Sequence, residues 1–163
     1  MNGAGGHHRL PVLEWLRRHV ERTLGPDDTT HMRYPTAISR TLAMRVVEVG
    51  TGTAAVEIDA DPERHGNQQG TVHGGLLCEL ADAAIGTAHS TLMEAGESFT
   101  SIELKINFFR PVWISTLRAV ARPTQSGRTL THYQCEILRA DGKLAALASS
   151  TVMTLRGERA TGR

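Results

Sequence analysis

Aromatic residues make up only 4% of this chain, cysteines number two, and charge of neither sign dominates, the formal net charge being +1. Two cysteines, Cys78 and Cys135, are too few for a disulfide framework. With Cys78 inside an apolar helical stretch, both read as packing residues of a reducing compartment. No run of eighteen apolar residues exists, which excludes a membrane-spanning helix, and Met1 to Arg9 lacks the basic-then-apolar order of a secretory leader. A cytoplasmic location is the expectation. Lys and Arg are spread evenly, so neither nucleic acid nor an anionic membrane surface is an expected partner. His7 and His8 stand side by side without a converging third ligand, so no metal site and no cofactor are expected.

What is present suits one globular domain: 163 residues, 40% of them hydrophobic. Residues 1–10 and 156–163 read as flexible tails, 11–41 as an N-terminal helix and loop, and 42–155 as the main domain. From Pro11 to Leu24 apolar residues recur at helical spacing, and Gly25-Pro26 ends the pattern. Gly25 to Thr41 has the composition of irregular structure that could cover a site. Leu42 to Val49 and Thr53 to Asp59 read as a hairpin about Gly50-Thr51-Gly52, and Asp61 to Gly70 as a polar loop. One long helix is expected from Gly74 or Gly75 to about Ala95. Four strands follow: Phe99 to Phe109, Trp113 to Arg122, Arg128 to Arg139 and Lys143 to Leu155. Consecutive strands without intervening helices imply an antiparallel sheet, and hence an α+β domain with one apolar helix on the sheet.

Chemistry concentrates where the polar loop enters that helix. The loop Gly70-Thr71-Val72-His73-Gly74-Gly75 places the first free backbone N–H groups and the positive helix end at His73 to Gly75, where an oxyanion would be stabilised. The plainer reading of the glycine pair is close helix packing. No P-loop lysine follows, which disfavours nucleotide phosphate transfer. About two turns on, Asp82 shares a face with Gly75, Cys78, Glu79, Ile85, Gly86 and His89. It can act as a base on water or as a nucleophile on an acyl carbon, or it can be a structural carboxylate tied to a partner. Glu79 reads as a solvated carboxylate on an exposed flank. Trp113, Phe108 and Phe109 read as core or interface.

Asn67-x5-His73-Gly74-Gly75-x6-Asp82, followed by Thr100-Ser101-Ile102-Glu103-Leu104-Lys105-Ile106-Asn107-Phe108-Phe109-Arg110-Pro111, resembles the hotdog-fold acyl-CoA thioesterases of the phenylacetate-pathway (PaaI-like) group. The resemblance covers roughly residues 42–155. It implies a hotdog fold, an antiparallel sheet wrapped around one long central helix, here with an extra N-terminal helix. It also implies a homo-oligomer, a dimer or a dimer of dimers, whose active sites are shared between two subunits. The substrate it implies is an acyl-CoA.

Carried over by position, Asp82 matches the catalytic acid and Gly74 the backbone N–H that polarises the thioester carbonyl. Asn67 matches the amide that helps to hold that carbonyl or the water, and Ser101 a hydroxyl that positions water. His73, Gly75 and Thr100 stand beside them as substrate-binding positions, His73 equally as a residue that shapes the loop. Arg128, beside the Ser126-Gly127 turn, is the preferred cation for CoA phosphates, ahead of Arg110. Two other activities compete. One is a non-catalytic hotdog module that binds acyl-CoA or acyl-carrier thioesters. The other, a hotdog dehydratase or hydratase, draws on His73 alone.

Overall fold

The computed structural model describes residues 8–161. Most of the expected N-terminal tail, His7 included, lies outside the described residues. In chain order the elements are β1 (His8–Arg9), α1 (Val12–Glu21), β2 (Asp28–Thr29), α2 (Ala37–Leu42), β3 (Arg45–Gly50), β4 (Thr53–Ala60) and α3 (Pro62–His65). Then come α4 (Gly74–Ser90), β5 (Ser98–Phe108), β6 (Ser115–Ser126), β7 (Leu130–Leu138), β8 (Leu144–Leu155) and a 3₁₀ turn at Gly157–Ala160. Ordered elements thus reach into both segments expected as tails: β1 pairs with β2 in parallel, and Leu10 is buried.

Strands β3 to β8 form one antiparallel sheet in the order β3-β4-β6-β7-β8-β5. Its inner face is set by alternation. Along β7, Thr131, Tyr133, Cys135 and Ile137 are buried while His132, Gln134 and Glu136 are exposed, the period of two that puts successive side chains on opposite faces. The inner face closes on α4, whose Leu76, Leu77, Leu80, Ala81, Ala84, Ile85 and Ala88 all belong to the main core. Alanines on both partners, among them Ala119, Ala121, Ala146 and Ala148, keep the sheet close to the helix. The outer face carries ion pairs such as Arg118 with Glu57 and Glu48.

A second small core joins α1 to this body: Leu10, Val12, Trp15 and Leu16 pack with Leu24, Met32, Tyr34 and Val49. The Tyr34 hydroxyl reaches Ser90 Oγ on α4 at 2.6 Å and ties the N-terminal segment to the central helix.

Three boundaries depart from the sequence pattern. Helix α4 ends at Ser90 rather than near Ala95, because the Ser90 and Thr91 hydroxyls donate back to the carbonyls of Thr87 and Ala88, both at 2.7 Å. Thr91 Oγ1 also accepts the Gly52 N–H at 2.7 Å, fixing the helix end to the β3–β4 turn. Strand β6 runs on past Arg122 through Pro123, which sits at a bulge where its missing N–H does no harm. The segment expected as irregular contains α2, started by Thr36, whose Oγ1 accepts the Ser39 N–H at 3.2 Å.

Candidate active site

The loop before α4 is built by its own side chains. Asn67 Oδ1 accepts the N–H groups of Gln69 and Thr71, at 2.9 and 3.2 Å, and Asn67 Nδ2 donates to Thr71 Oγ1 at 3.0 Å. One amide hydrogen of Asn67 stays available after these bonds, since the group carries two. His73 is the N-cap of α4, and its Nδ1 accepts the Gly75 N–H at 2.8 Å. That engages the Gly75 donor. Among the described residues the Gly74 N–H has no acceptor, so the open donor at the positive helix end belongs to Gly74.

A side chain at either glycine would crowd a neighbour. A Cβ on Gly74 would lie 3.0 Å from the Phe108 ring, and one on Gly75 would lie 2.9 Å from His73 Nδ1. Asn67, Gly74 and Phe108 line one shallow concavity together with Arg110. Arg110 is engaged in holding the chain, donating to the Leu144 carbonyl at 2.7 Å.

Asp82 is exposed in the single chain, so the cost of a buried charge does not arise. Ser101 Oγ donates to Asp82 Oδ1 at 3.3 Å, across from β5. Thr100 lies on the other face of β5, as strand alternation requires. Asp82 stands on the wall of a second concavity of about 240 Å³ between α4 and the N-terminal segment. Tyr34, Ile38 and Met44 wall it from one side, and Ala83, Gly86 and Phe99 from the other.

Two residues expected on the Asp82 face behave differently. Glu79 is not a solvated flank: it is half-buried on the same wall as Asp82, and its carboxyl is pushed up first by burial and then by the Asp82 charge. His89 is sealed in the core at 1% exposure, with Nδ1 3.1 Å from the Tyr133 hydroxyl and Nε2 3.0 Å from Thr154 Oγ1. Burial lowers its pKa to about 4. The shared face is open toward the start of α4 and covered toward its end by Phe99 and Tyr133. Among the described residues no three His, Cys, Asp or Glu side chains converge as a metal ion would need.

The structure brings Asp82 to Ser101 and Asn67 to Gly74, but it does not bring the two pairs together. Eight residues of helix separate Gly74 from Asp82, about 12 Å of rise. Strand β5 spans both, with Ser101 against Asp82 and Phe108 against Gly74. It is also an edge of the sheet, its outer side unpaired among the described residues. Arg128 is elsewhere, in a cleft with Thr129, Thr154, Arg156 and Arg159; Arg156 donates to its carbonyl at 2.7 Å and pairs with Glu97.

An antiparallel sheet wrapped on one long helix is the architecture of a hotdog domain. The comparisons with known proteins agree. The thioesterase superfamily matches residues 69–146, from the glycine loop into β8. A Saccharolobus solfataricus protein that bears an esterase name is 32% identical over 119 residues, 73% of this chain and 84% of its own. A Deinococcus radiodurans protein, likewise named an esterase, is 33% identical over 123 residues, 73% and 81% of the two chains. The chain belongs to the thioesterase superfamily, among its PaaI-like hotdog hydrolases.

Among solved structures, a mutant of the phenylacetic acid degradation protein PaaI from Thermus thermophilus superposes with a TM-score of 0.67 at 28% identity. It covers 72% of this chain and 98% of that one. The PaaI protein of E. coli superposes with a TM-score of 0.73 over 91% of this chain and 97% of its own; at 23% identity it shows the fold alone. Sequence reasoning expected Gly25 to Thr41 to be able to cover a site but missed the helix α2 within it, and it missed the place of Glu79. The signals were there: Thr36 three residues before Ser39 is a helix start, and Glu79 three residues before Asp82 shares its side of the helix.

Proposed function

We propose that the protein hydrolyses acyl-CoA thioesters to CoA and the free carboxylic acid, with Asp82 as the reacting carboxylate. The observation that carries this reading is the Ser101–Asp82 hydrogen bond at the wall of an apolar cavity. As general base, Asp82 takes a proton from a water held by Ser101 while the water oxygen bonds to the acyl carbon; as nucleophile, it bonds to that carbon itself. In either case the C–S bond breaks and CoA leaves as its thiolate; on the nucleophilic route water then attacks the Asp82 acyl anhydride, releasing the acid and the free carboxylate. The Gly74 N–H and the remaining Asn67 amide hydrogen stabilise the developing oxyanion. His73 works through the loop, leaving Gly74 as the donor by engaging Gly75. Arg128 meets a CoA phosphate.

One acyl carbon cannot touch groups about 12 Å apart, so the site is completed by a second copy of the chain. Antiparallel pairing of β5 with its own copy would bring the Ser101–Asp82 end of one protomer to the Phe108–Gly74 end of its partner. Ile102 and Phe108, 51% and 54% exposed on β5, would be covered by it.

Mixed oligomers test the sharing. Asp82→Asn chains and Gly74→Pro chains are each expected to be inactive, and co-expression is expected to restore hydrolysis, because each heterodimer keeps one intact site. Absence of recovery sinks the shared site, and Asp82→Asn activity equal to wild type sinks the mechanism. Wild-type protein that binds CoA esters but turns over none of a short, long and aryl panel would instead be a binding module.

A further inference from the structure

The cavity beside Asp82 is walled partly by α2, a helix that lends the main core only the half-buried Leu42. No residue of α2 is buried, yet Ile38 and Ser39 line the space together with Tyr34 and Thr36 from the preceding turn. A volume of about 240 Å³ holds on the order of eight water-sized groups at about 30 Å³ each. A medium-length acyl chain fits it.

The polar groups on the wall are mostly engaged. The Tyr34 hydroxyl is bonded to Ser90. Thr87 Oγ1 donates to the Ala83 carbonyl. Thr36 and Ser39 bond each other, and Asp82 accepts from Ser101. His19 is stacked on Trp15. Glu79 is the exception: it is half-buried against apolar neighbours, and no donor reaches its carboxylate among the described residues. A partly desolvated carboxylate without a donor loses stabilisation that a ligand hydroxyl can restore. Its place is also fixed relative to the chemistry. Three residues from Asp82 on one helix, its Cβ lies about 5–6 Å from that of Asp82, within reach of a substituent a few atoms from the thioester carbon.

Resting on the thioesterase reading above, we propose that Glu79 is a specificity residue of this cavity and selects medium-length acyl groups that carry a hydroxyl near the thioester. The hydroxyl donates to the Glu79 carboxylate, and the hydrocarbon end lies among Met44, Val46, Val56 and Phe99.

The test uses stable analogues of octanoyl-CoA and 3-hydroxyoctanoyl-CoA in which a methylene separates the carbonyl from sulfur. Calorimetric binding to wild type, Glu79→Gln and Glu79→Ala proteins is compared. Wild type is expected to bind the hydroxylated analogue about tenfold tighter, Glu79→Gln to keep part of that preference, and Glu79→Ala to lose it. Equal affinities in wild type, no binding of either analogue, or the same preference in Glu79→Ala overturn the proposal. So does an equal loss of affinity for both analogues in Glu79→Ala, which places Glu79 against the shared CoA portion. Wild-type hydrolysis of octanoyl-CoA, followed separately, reports on the thioesterase reading: turnover with no hydroxyl preference ends this inference alone, and preference without turnover ends the other alone.

Discussion

Asp82 and His89 are two turns apart on α4, on nearly the same side of the helix, yet their surroundings are opposite. Asp82 is exposed and holds one long hydrogen bond, to Ser101. His89 is buried, bonded at both ring nitrogens and flanked by Phe99 and Tyr133. The same helical face therefore does two kinds of work. Where β5 and β7 cover it, a polar side chain persists only fully satisfied and neutral; where it is open, a carboxylate keeps free lone pairs.

The sharpest way to break this contrast is Asp82→Asn. It should lower kcat/KM for a turned-over acyl-CoA by about a hundred- to ten-thousand-fold, the range of a lost general base, while the melting temperature stays near that of wild type. A melting temperature that falls with the activity would make Asp82 as structural as His89. Next in size is Gly74→Pro set against Gly74→Ala. Both add a Cβ against Phe108, but only proline removes the N–H. Proline is tolerated at the first helical position, and the extended backbone of His73, φ −65 and ψ 135, suits a residue before proline. A further loss of about a hundred- to a thousandfold in kcat for proline over alanine is expected. Equal rates would deny the Gly74 N–H its part.

The closed half is tested by acid. Folding keeps His89 neutral down to a pKa of about 4, against 6.5 for the free side chain, chiefly because it is buried. Between those values the unfolded chain binds the extra proton and the folded chain does not. Stability is therefore complete above about pH 6.5 and falls as the pH drops toward 4, by about 3 kcal/mol in all. Denaturant titrations of His89→Leu should lack that acid slope. At neutral pH this variant should lose about 1–3 kcal/mol from the unpartnered Tyr133 and Thr154 hydroxyls, with activity per folded molecule retained. An unchanged slope in the leucine variant would assign the acid sensitivity elsewhere.

The same contrast explains what the sequence could tell. The sheet and the long helix were legible because α4 is apolar over four turns and β7 alternates strictly, patterns that tertiary structure reinforces. The spaced residues Asn67, Gly74 and Asp82 were legible as a set, and eight residues of one helix between Gly74 and Asp82 already imply about 12 Å between them. The two fates of the Asp82 face were hidden, since helical periodicity fixes an angle and not what packs along it. Glu79 was misplaced for that reason, and the burial of His89 was not foreseen. The end of α4 was hidden too, because Leu92 and Met93 continue the apolar pattern while the Ser90 and Thr91 hydroxyls stop the helix.

The smallest expected effect is also the finest probe of the open half. Ser101 meets Asp82 at 3.3 Å with both groups exposed, a bond too long and too wet to contribute much stability. On the reading proposed above, its value lies in aiming the carboxylate or a water. Ser101→Ala should therefore cost on the order of tenfold in kcat, about one long, solvent-weakened hydrogen bond, with little change in KM or melting temperature. Thr100→Ala, one residue away and on the other face of β5, should leave kcat unaltered. If Thr100→Ala proves the slower enzyme, the hydroxyl that serves Asp82 belongs to Thr100 and not to Ser101.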